Sequence, residues 1–529
     1  MNSASSSLGG QWLCETYGLS LVSPLAVASS VGSRRASSIT EDGIRTEIYQ
    51  RGQVGESTLR SSLAFHLKNE VVNLELLSRL FAKVDPVDLM AWVHDEPNGR
   101  YARRAGFLYE WLTDKTLDVS NKLTGSYVEA LDKKDMVVAV NPVRNAKWNV
   151  LDNLPGTREF CPTVRKTRQS ERSMALDCQA LLAEITEEFG ANTLLKSAVW
   201  LTKRESKASF QIEGEAHQTG RIQRFAEALG QYTGNGDGLL SDSVLGALQR
   251  AILGSAPTTQ AFGIRQSPVF IGANVNYQEH VHYIAPASDD VPAMLKGLQS
   301  FIDKTQGLSP VMRSAVASFG FVYIHPLADG NGRIHRLLIN DILRRDGAVP
   351  EPLIIPVSGW ISRGKNEQLR YEKLLDTVSE PMMKQAAGKW EFSVHKRLYP
   401  DGIVSNFVFD GDSEARHAWR YADLTPHVEY LSDVIAQTIS EDMRMESSYL
   451  RSHGQARSAI KGIVELPDDS IDRIIRSWEQ TKGKLSNVLA KEISALREDG
   501  VWPAINDALE TAFSDPVLRG AGAAQLREG

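Results

Sequence analysis

The sequence predicts a mainly helical fold: a mixed α/β N-terminal module, a central helical domain carrying a small β-hairpin, and a helical C-terminal region. Three observations carry this expectation. From Glu171 onward apolar residues recur at three- and four-residue spacing through most of the chain. Within that stretch, two short apolar runs at 268–272 and 281–284 flank a polar loop, the pattern of a hairpin. Finally, IHPLADGNGRIHRLLINDIL, from Ile324 to Leu343, sets a glycine-bearing loop directly before an amphipathic helix. Boundaries fall near 165 and 385, giving regions 1–165, 166–385 and 386–529, in line with the usual domain size.

In the N-terminal module, residues 1–10 are small and polar and read as a tail. Ile44, Thr46 and Ile48 alternate like a strand, and Leu59, Leu63, Leu67, Val71, Leu74 and Leu77 then read as one amphipathic helix. Pro86 opens another helix, and Pro97-Asn98-Gly99 breaks the chain before Arg100, Arg103 and Arg104, which lead into the aromatic run 107–112. Two helices with arginines on the second have a winged-helix or helix-turn-helix outline, making nucleic acid a candidate partner. A solvated arginine face beside an aromatic core stripe accounts for the same residues. Residues 136–140 read as a buried strand, and 147–164, with the Pro155-Gly156 turn, as a hairpin-rich connector.

The central region opens with the stripe Met174, Leu181, Leu182 and Ile185, ending at Phe189-Gly190. A second helix from Asn192 to about Glu213 closes as Ser209-Phe210-Gln211-Ile212-Glu213-Gly214, where Gly214 suits a C-terminal cap. The hairpin carries Val269, Phe270 and Ile271 on its first run and Val281 to Ile284 on its second. After the stripe Val291, Met294, Leu295, Leu298 and Ile302, a buried run delivers His325. Gly330 and Gly332 permit positive φ and Asn331 tolerates it, so successive amides form an anion-binding concavity at the positive end of the next helix. Arg333 and Arg336 lie three apart, able to reach successive phosphates. Asp329 is a hard oxygen ligand suited to magnesium, and His325 has the pKa range of a general base. Pro326 should restrict His325 to extended backbone geometry. Base, metal ligand, amide concavity and arginines together imply transfer of part of a nucleotide. Tyr371, in a helix over 366–378, reads as a core tyrosine or an adenine-stacking one. From Trp390 the pattern is mainly helical, with residues 467–470 capping the stripe Ile471, Ile474, Ile475 and Trp478; this region suits partner binding or an oligomer.

The run HPLADGNGRIHR resembles the Fic-domain signature HPFx(D/E)GNGRxxR, with Leu327 standing where the family carries phenylalanine. Gly332 occupies the position at which related kinases of the Doc type carry lysine. The resemblance therefore implies a nucleotidyltransferase: AMP moves from Mg-ATP to a Tyr, Ser or Thr hydroxyl of a target protein. In those terms His325 is the base and Asp329 holds Mg2+. Gly330, Asn331 and Gly332 stabilise the α-phosphate, while Arg333 and Arg336 grip the outer phosphates. Ser209 to Gly214 resembles the family's inhibitory (S/T)xxxE(G/N) motif, which implies that Glu213 pairs with Arg336 and blocks the γ-phosphate position. The hairpin, with Val269 to Ile271, is similar to the flap over which such proteins add a strand of their target. Two alternatives stay open: removal of AMP through water activated by Glu213, and a nucleotide-sensing DNA-binding or toxin-type regulator.

Composition narrows the class without naming it. The 529 residues are 42% hydrophobic and 23% charged, and the formal net charge of -6 supplies no general attraction to nucleic acid or anionic membrane. Cys14, Cys161 and Cys178 follow neither disulfide nor zinc spacing, so a reducing cytoplasm is the expected location. No apolar run approaches membrane-spanning length.

Overall fold

Side-chain caps place several of the helix starts. Thr58, Asn73, Asp85, Thr167, Asp177 and Ser309 each accept a backbone N–H from the turn they open, and Pro86 and Pro310 occupy first-turn positions where no amide is missed. The structure, a computed structural model, describes residues 6–39, 44–119, 123, 125–236, 238–254, 261–275 and 278–515. It is mainly helical with small sheets, as the sequence predicts.

The chain divides into two contact units. The first takes residues 1–176, 231–347 and 364–432, so it draws on all three regions drawn from the sequence. Its N-terminal part has a four-stranded sheet, in which the strand Val27–Gly32 pairs parallel with Arg45–Gln50. Helices Leu59–Asn69, Leu74–Lys83, Pro86–Asp95 and Arg100–Thr113 accompany it around one core holding Leu63, Leu77, Leu80, Trp92, Leu108 and Trp148.

Several expectations for this part are corrected. Residues 1–5 lie outside the described residues, but Ser7–Leu8 is a strand paired to Ser29 and Ser30, and Gly9 starts a helix ending at Tyr17. The single helix expected from Leu59 to Leu77 is two. Asn73, in extended geometry, accepts from the Leu76 amide at 2.8 Å and so restarts the helix in a new direction. Met136 forms an isolated bridge to Arg165 instead of a strand. Arg103 and Arg104 are 2% and 7% exposed, so they present no face to a nucleic-acid groove. Arg104 donates to the Leu67 and Ala130 carbonyls and Arg103 to those of Ser126 and Asn149; these arginines tie loops to their helix.

The largest correction lies after Trp390. Instead of helix, Trp390–Leu398 and Val404–Phe409 form an antiparallel hairpin with Trp390 opposite Phe409 and Phe392 opposite Phe407. Its rings form a cluster: Phe392 and Phe407 lie 5.7 Å apart, and both approach Phe270 of the earlier hairpin, at 5.3 and 4.8 Å. Alternation of apolar and polar residues, period two, was the available signal. The helical pattern expected further on resumes with Asp412–Arg420.

The second unit takes residues 177–230, 348–363 and 433–529. The helix Ala191–Ile212 is its longest; Glu205, fully buried there, accepts from both the amide and the hydroxyl of Ser358. Arg204, in turn, pairs with buried Asp442 at 2.8 Å. The stripe Ile471, Ile474 and Ile475 packs with Leu489, Ile505 and Leu509 in a separate core. Among the described residues no helix is long and apolar enough to cross a membrane.

Candidate active site

His325 stands at the end of the helix Pro310–Ile324, a helix buried on almost every side. Its own backbone is left-handed, φ 49 and ψ 58, not extended as Pro326 would suggest. For a non-glycine residue before proline this is strained, at a typical cost of about 1–3 kcal/mol. The surroundings supply the compensation. The His325 amide donates to the Phe321 carbonyl at 2.9 Å, and the buried side chain of Arg265 donates to the His325 carbonyl at 2.7 Å. The ring is half-buried, with Nδ1 3.3 Å from the Val322 carbonyl. A carbonyl only accepts, so a hydrogen bond there requires the proton on Nδ1, the tautomer in which Nε2 is the basic nitrogen.

The loop that follows closes on itself. Asn331 is 4% exposed; its Oδ1 accepts from the Leu327 amide at 3.0 Å and its Nδ2 donates to the Leu327 carbonyl at 2.7 Å. Leu327, at the family's phenylalanine position, is fully buried. Gly330 sits at φ 92 as the N-terminal cap of the helix Asn331–Arg345. Gly332, by contrast, is the second residue of that helix, so only Gly330 makes the left-handed turn expected of both. The Ile334 amide is the first to bond within the helix, to the Gly330 carbonyl at 3.1 Å. The amides of residues 331–333 therefore lie in the turn whose donors have no intrahelical acceptor, next to His325. Here the helix dipole favours an anion.

Arg333 and Arg336 are 3% and 1% exposed, and Arg333 Nη1 holds Asp329 Oδ1 at 3.1 Å. That contact orients the Asp329 carboxylate. A hard-oxygen ligand beside an anion site is the kind that would suit magnesium, which keeps several waters and completes its shell with phosphate oxygens.

Sequence reasoning missed the residues that hold this loop. Gln249 Nε2 donates to the Asp329 carbonyl at 2.8 Å while its Oε1 accepts from the Gly263 amide at 2.9 Å. Beneath the loop, Tyr323 Oη meets His427 Nε2 at 2.7 Å, and Tyr283 Oη donates to the Tyr323 carbonyl at 2.6 Å. Burial, with His335 adding to it, pushes His427 down to about 3, so it is neutral. Nothing marks these residues locally, because their partners are distant in sequence. Tyr371 is 7% exposed, with its ring 6.4 Å from Phe319 and 6.2 Å from Tyr430, as a core tyrosine would be.

The hairpin is present, Phe270–Val275 against Gln278–Ile284. Phe270 turns into the aromatic cluster and Ile271 is 39% exposed, while the Val269 carbonyl accepts from the Ala285 amide at 3.0 Å. Ser209 is fully buried in the helix that Glu213 caps at its C-terminus, and Gly214 follows at φ 73. This segment belongs to the second unit; His325 and Arg336 belong to the first.

Comparison of the sequence with family models picks out a segment that contains the same loop. Residues 240–343 match the model of the Fic/DOC family. "Protein adenylyltransferase fic-1" of Caenorhabditis elegans is 33% identical over 124 residues, 23% of this chain and 22% of its own length. "Protein adenylyltransferase Fic" of Drosophila mojavensis is 32% identical over 135 residues, 25% of this chain and 23% of its own length. The chain thus spans less than a quarter of these relatives. A solved Fic family protein from Desulfovibrio desulfuricans G20 aligns over 64% of this chain and 92% of its own, at 20% identity and a TM-score of 0.38. The segment that matches the Fic/DOC family model takes in the hairpin, His325 and the glycine loop.

Proposed function

We propose that this protein is a protein adenylyltransferase, transferring AMP from Mg-ATP to a Tyr, Ser or Thr hydroxyl of a target protein. The observation that supports this best is the placement of His325: a tautomer with basic Nε2, held in a left-handed turn directly before the amide-rich start of the helix Asn331–Arg345. Nε2 takes the proton of the attacking hydroxyl as its oxygen approaches the α-phosphorus. The amides following Gly330 receive the charge that grows on the α-phosphate oxygens, and Arg333 and Arg336 bind the outer phosphates that leave as pyrophosphate. Asp329 would hold magnesium, which would supply neutralisation of phosphate charge. Removing one preorganised donor of this kind typically lowers the rate about a hundred- to thousand-fold. Most of the acceleration then comes from positioning and electrostatics.

In this reading the hairpin at Val269 to Ile271 docks an extended stretch of the target by strand addition. Glu213 restrains the enzyme by occupying the Arg336 guanidinium that would otherwise hold the γ-phosphate. The motif at the end of the helix Ala191–Ile212, ahead of the signature in the chain, supports this. The test is incubation of cell lysate with the Glu213→Gly protein and ATP, followed by mass spectrometry of the lysate proteins. An AMP adduct on a hydroxyl side chain, more abundant than with the unaltered protein, is expected. Adducts equally abundant with both proteins would remove Glu213 from regulation, and no adduct with either would contradict the activity.

A further inference from the structure

We propose that Arg265 is a positioning residue for His325, and that Asp401, on the turn of the hairpin downstream of the Fic domain, holds Arg265 in place. The proposal rests on the adenylyltransferase reading for its kinetic consequences, but its geometry stands on its own contacts.

Arg265 is 1% exposed, and its guanidinium contacts carbonyls from three segments. Nε donates to His325 at 2.7 Å, Nη1 to Ser267 at 2.9 Å, and Nη2 to Pro286 at the base of the flap hairpin. Its backbone amide donates to the Pro326 carbonyl at 2.9 Å, so one residue grips the carbonyls of both His325 and Pro326. Burying a charged fork against neutral carbonyls is costly, and burial pushes Arg265 down to about 10. A salt bridge is not what this arrangement provides. What it provides is a fixed path for a backbone that would otherwise leave the left-handed region, carrying the imidazole with it.

The other end of the brace is equally well made. Asp401 is 3% exposed, and its Oδ2 accepts from the Gln266 amide at 2.8 Å, the Ser267 amide at 2.9 Å and the Ser267 hydroxyl at 2.7 Å. The Ser267 carbonyl is the one that Arg265 Nη1 meets, so the contacts run in series from Asp401 through Ser267 and Arg265 to His325. Phe270 against Phe392 and Phe407 seals the same two segments apolarly. Asp401 lies beyond the matched segment 240–343, so the downstream hairpin is part of the apparatus that aims the base.

The test uses the full-length protein with Arg265→Lys, which keeps charge and most of the volume, Asp401→Asn, which keeps shape, and the double variant. AMP transfer is followed by steady-state kinetics and His325 geometry by crystallography. For Arg265→Lys we expect kcat to fall about thirtyfold or more with KM for ATP within about threefold, and His325 φ to leave the left-handed region. Asp401→Asn should lower kcat about tenfold, and the double variant no further than Arg265→Lys, because the contacts act in series. Multiplicative losses in the double variant would overturn the series, and an unchanged φ with kcat within threefold would overturn the proposal. A change only in melting temperature, with kcat per folded molecule intact, would do the same. Should Arg265→Lys fail to fold, Asp401→Asn decides by the same two readouts. If the unaltered protein transfers no AMP, the proposed activity fails while the crystallographic arm still judges the brace.

Discussion

Replacing Asn331 by Asp separates two explanations of why this residue opens the helix. Helix electrostatics alone favour the change, since a carboxylate in the first turn typically contributes about 0.3–1 kcal/mol. The contacts say otherwise. Asn331 Nδ2 donates to the Leu327 carbonyl at 2.7 Å, whereas an aspartate brings a second acceptor to that carbonyl in a site only 4% exposed. Leaving a buried carbonyl without its donor costs about 1–3 kcal/mol, and acceptor facing acceptor adds to it. The contact to the Leu327 amide, at 3.0 Å, survives because a carboxylate accepts as well as an amide oxygen does. Net destabilisation of about 1–3 kcal/mol is expected near pH 7, measured by urea unfolding. Protonation restores the missing donor, so the new carboxyl titrates above its unfolded value and the deficit shrinks as pH falls through that raised pKa. An Asn331→Asp protein as stable as the unaltered one would refute the two-way bridge.

Further expectations follow from the same contacts. In Gly106→Ala the new Cβ would lie 2.2 Å from two ring carbons of the fully buried Trp148, so a loss of about 3 kcal/mol is expected in the N-terminal core. Stability within 0.5 kcal/mol of the parent would mean that the ring yields freely. His427 is held neutral with its pKa at about 3, far below the unfolded value near 6.5. Between those values the unfolded state gains a proton that the native state lacks, so this residue should cost about 1.4 kcal/mol of stability per pH unit as pH falls from 6 to 4. His427→Gln should flatten that slope by one proton, and an unchanged slope in urea titrations across this range would assign the acid sensitivity elsewhere.

The loop was legible because its chemistry is local: histidine, aspartate, glycine and arginines within twelve residues constrain one another without help from the rest of the fold. Gly330 performs the turn it suggests, and the helix begins at Asn331, just before the apolar stripe that Ile334 opens. What escaped the reading depends on partners far along the chain. Arg103 and Arg104 look like a solvated or groove-reading face until loop carbonyls, supplied in part by residues 126–149, enclose them. The backbone of His325 disobeys the preference set by Pro326 because Arg265, 60 residues earlier, clamps its carbonyl. The hairpin after Trp390 shows only a short period-two alternation, Trp390, Phe392 and Val394, and its pairing is fixed when Phe392 and Phe407 find Phe270. Tertiary context overrode local preference in each instance.

The most direct measurement supplies ATP labelled at the α-phosphate, and separately at the γ-phosphate, to the Glu213→Gly protein and to the same protein carrying His325→Ala, with lysate as the source of targets. Incorporation of the α label alone, abolished by the loss of His325, is the expected result. Transfer of the γ label, or α labelling that survives in the His325→Ala protein, would contradict AMP transfer with His325 as its base.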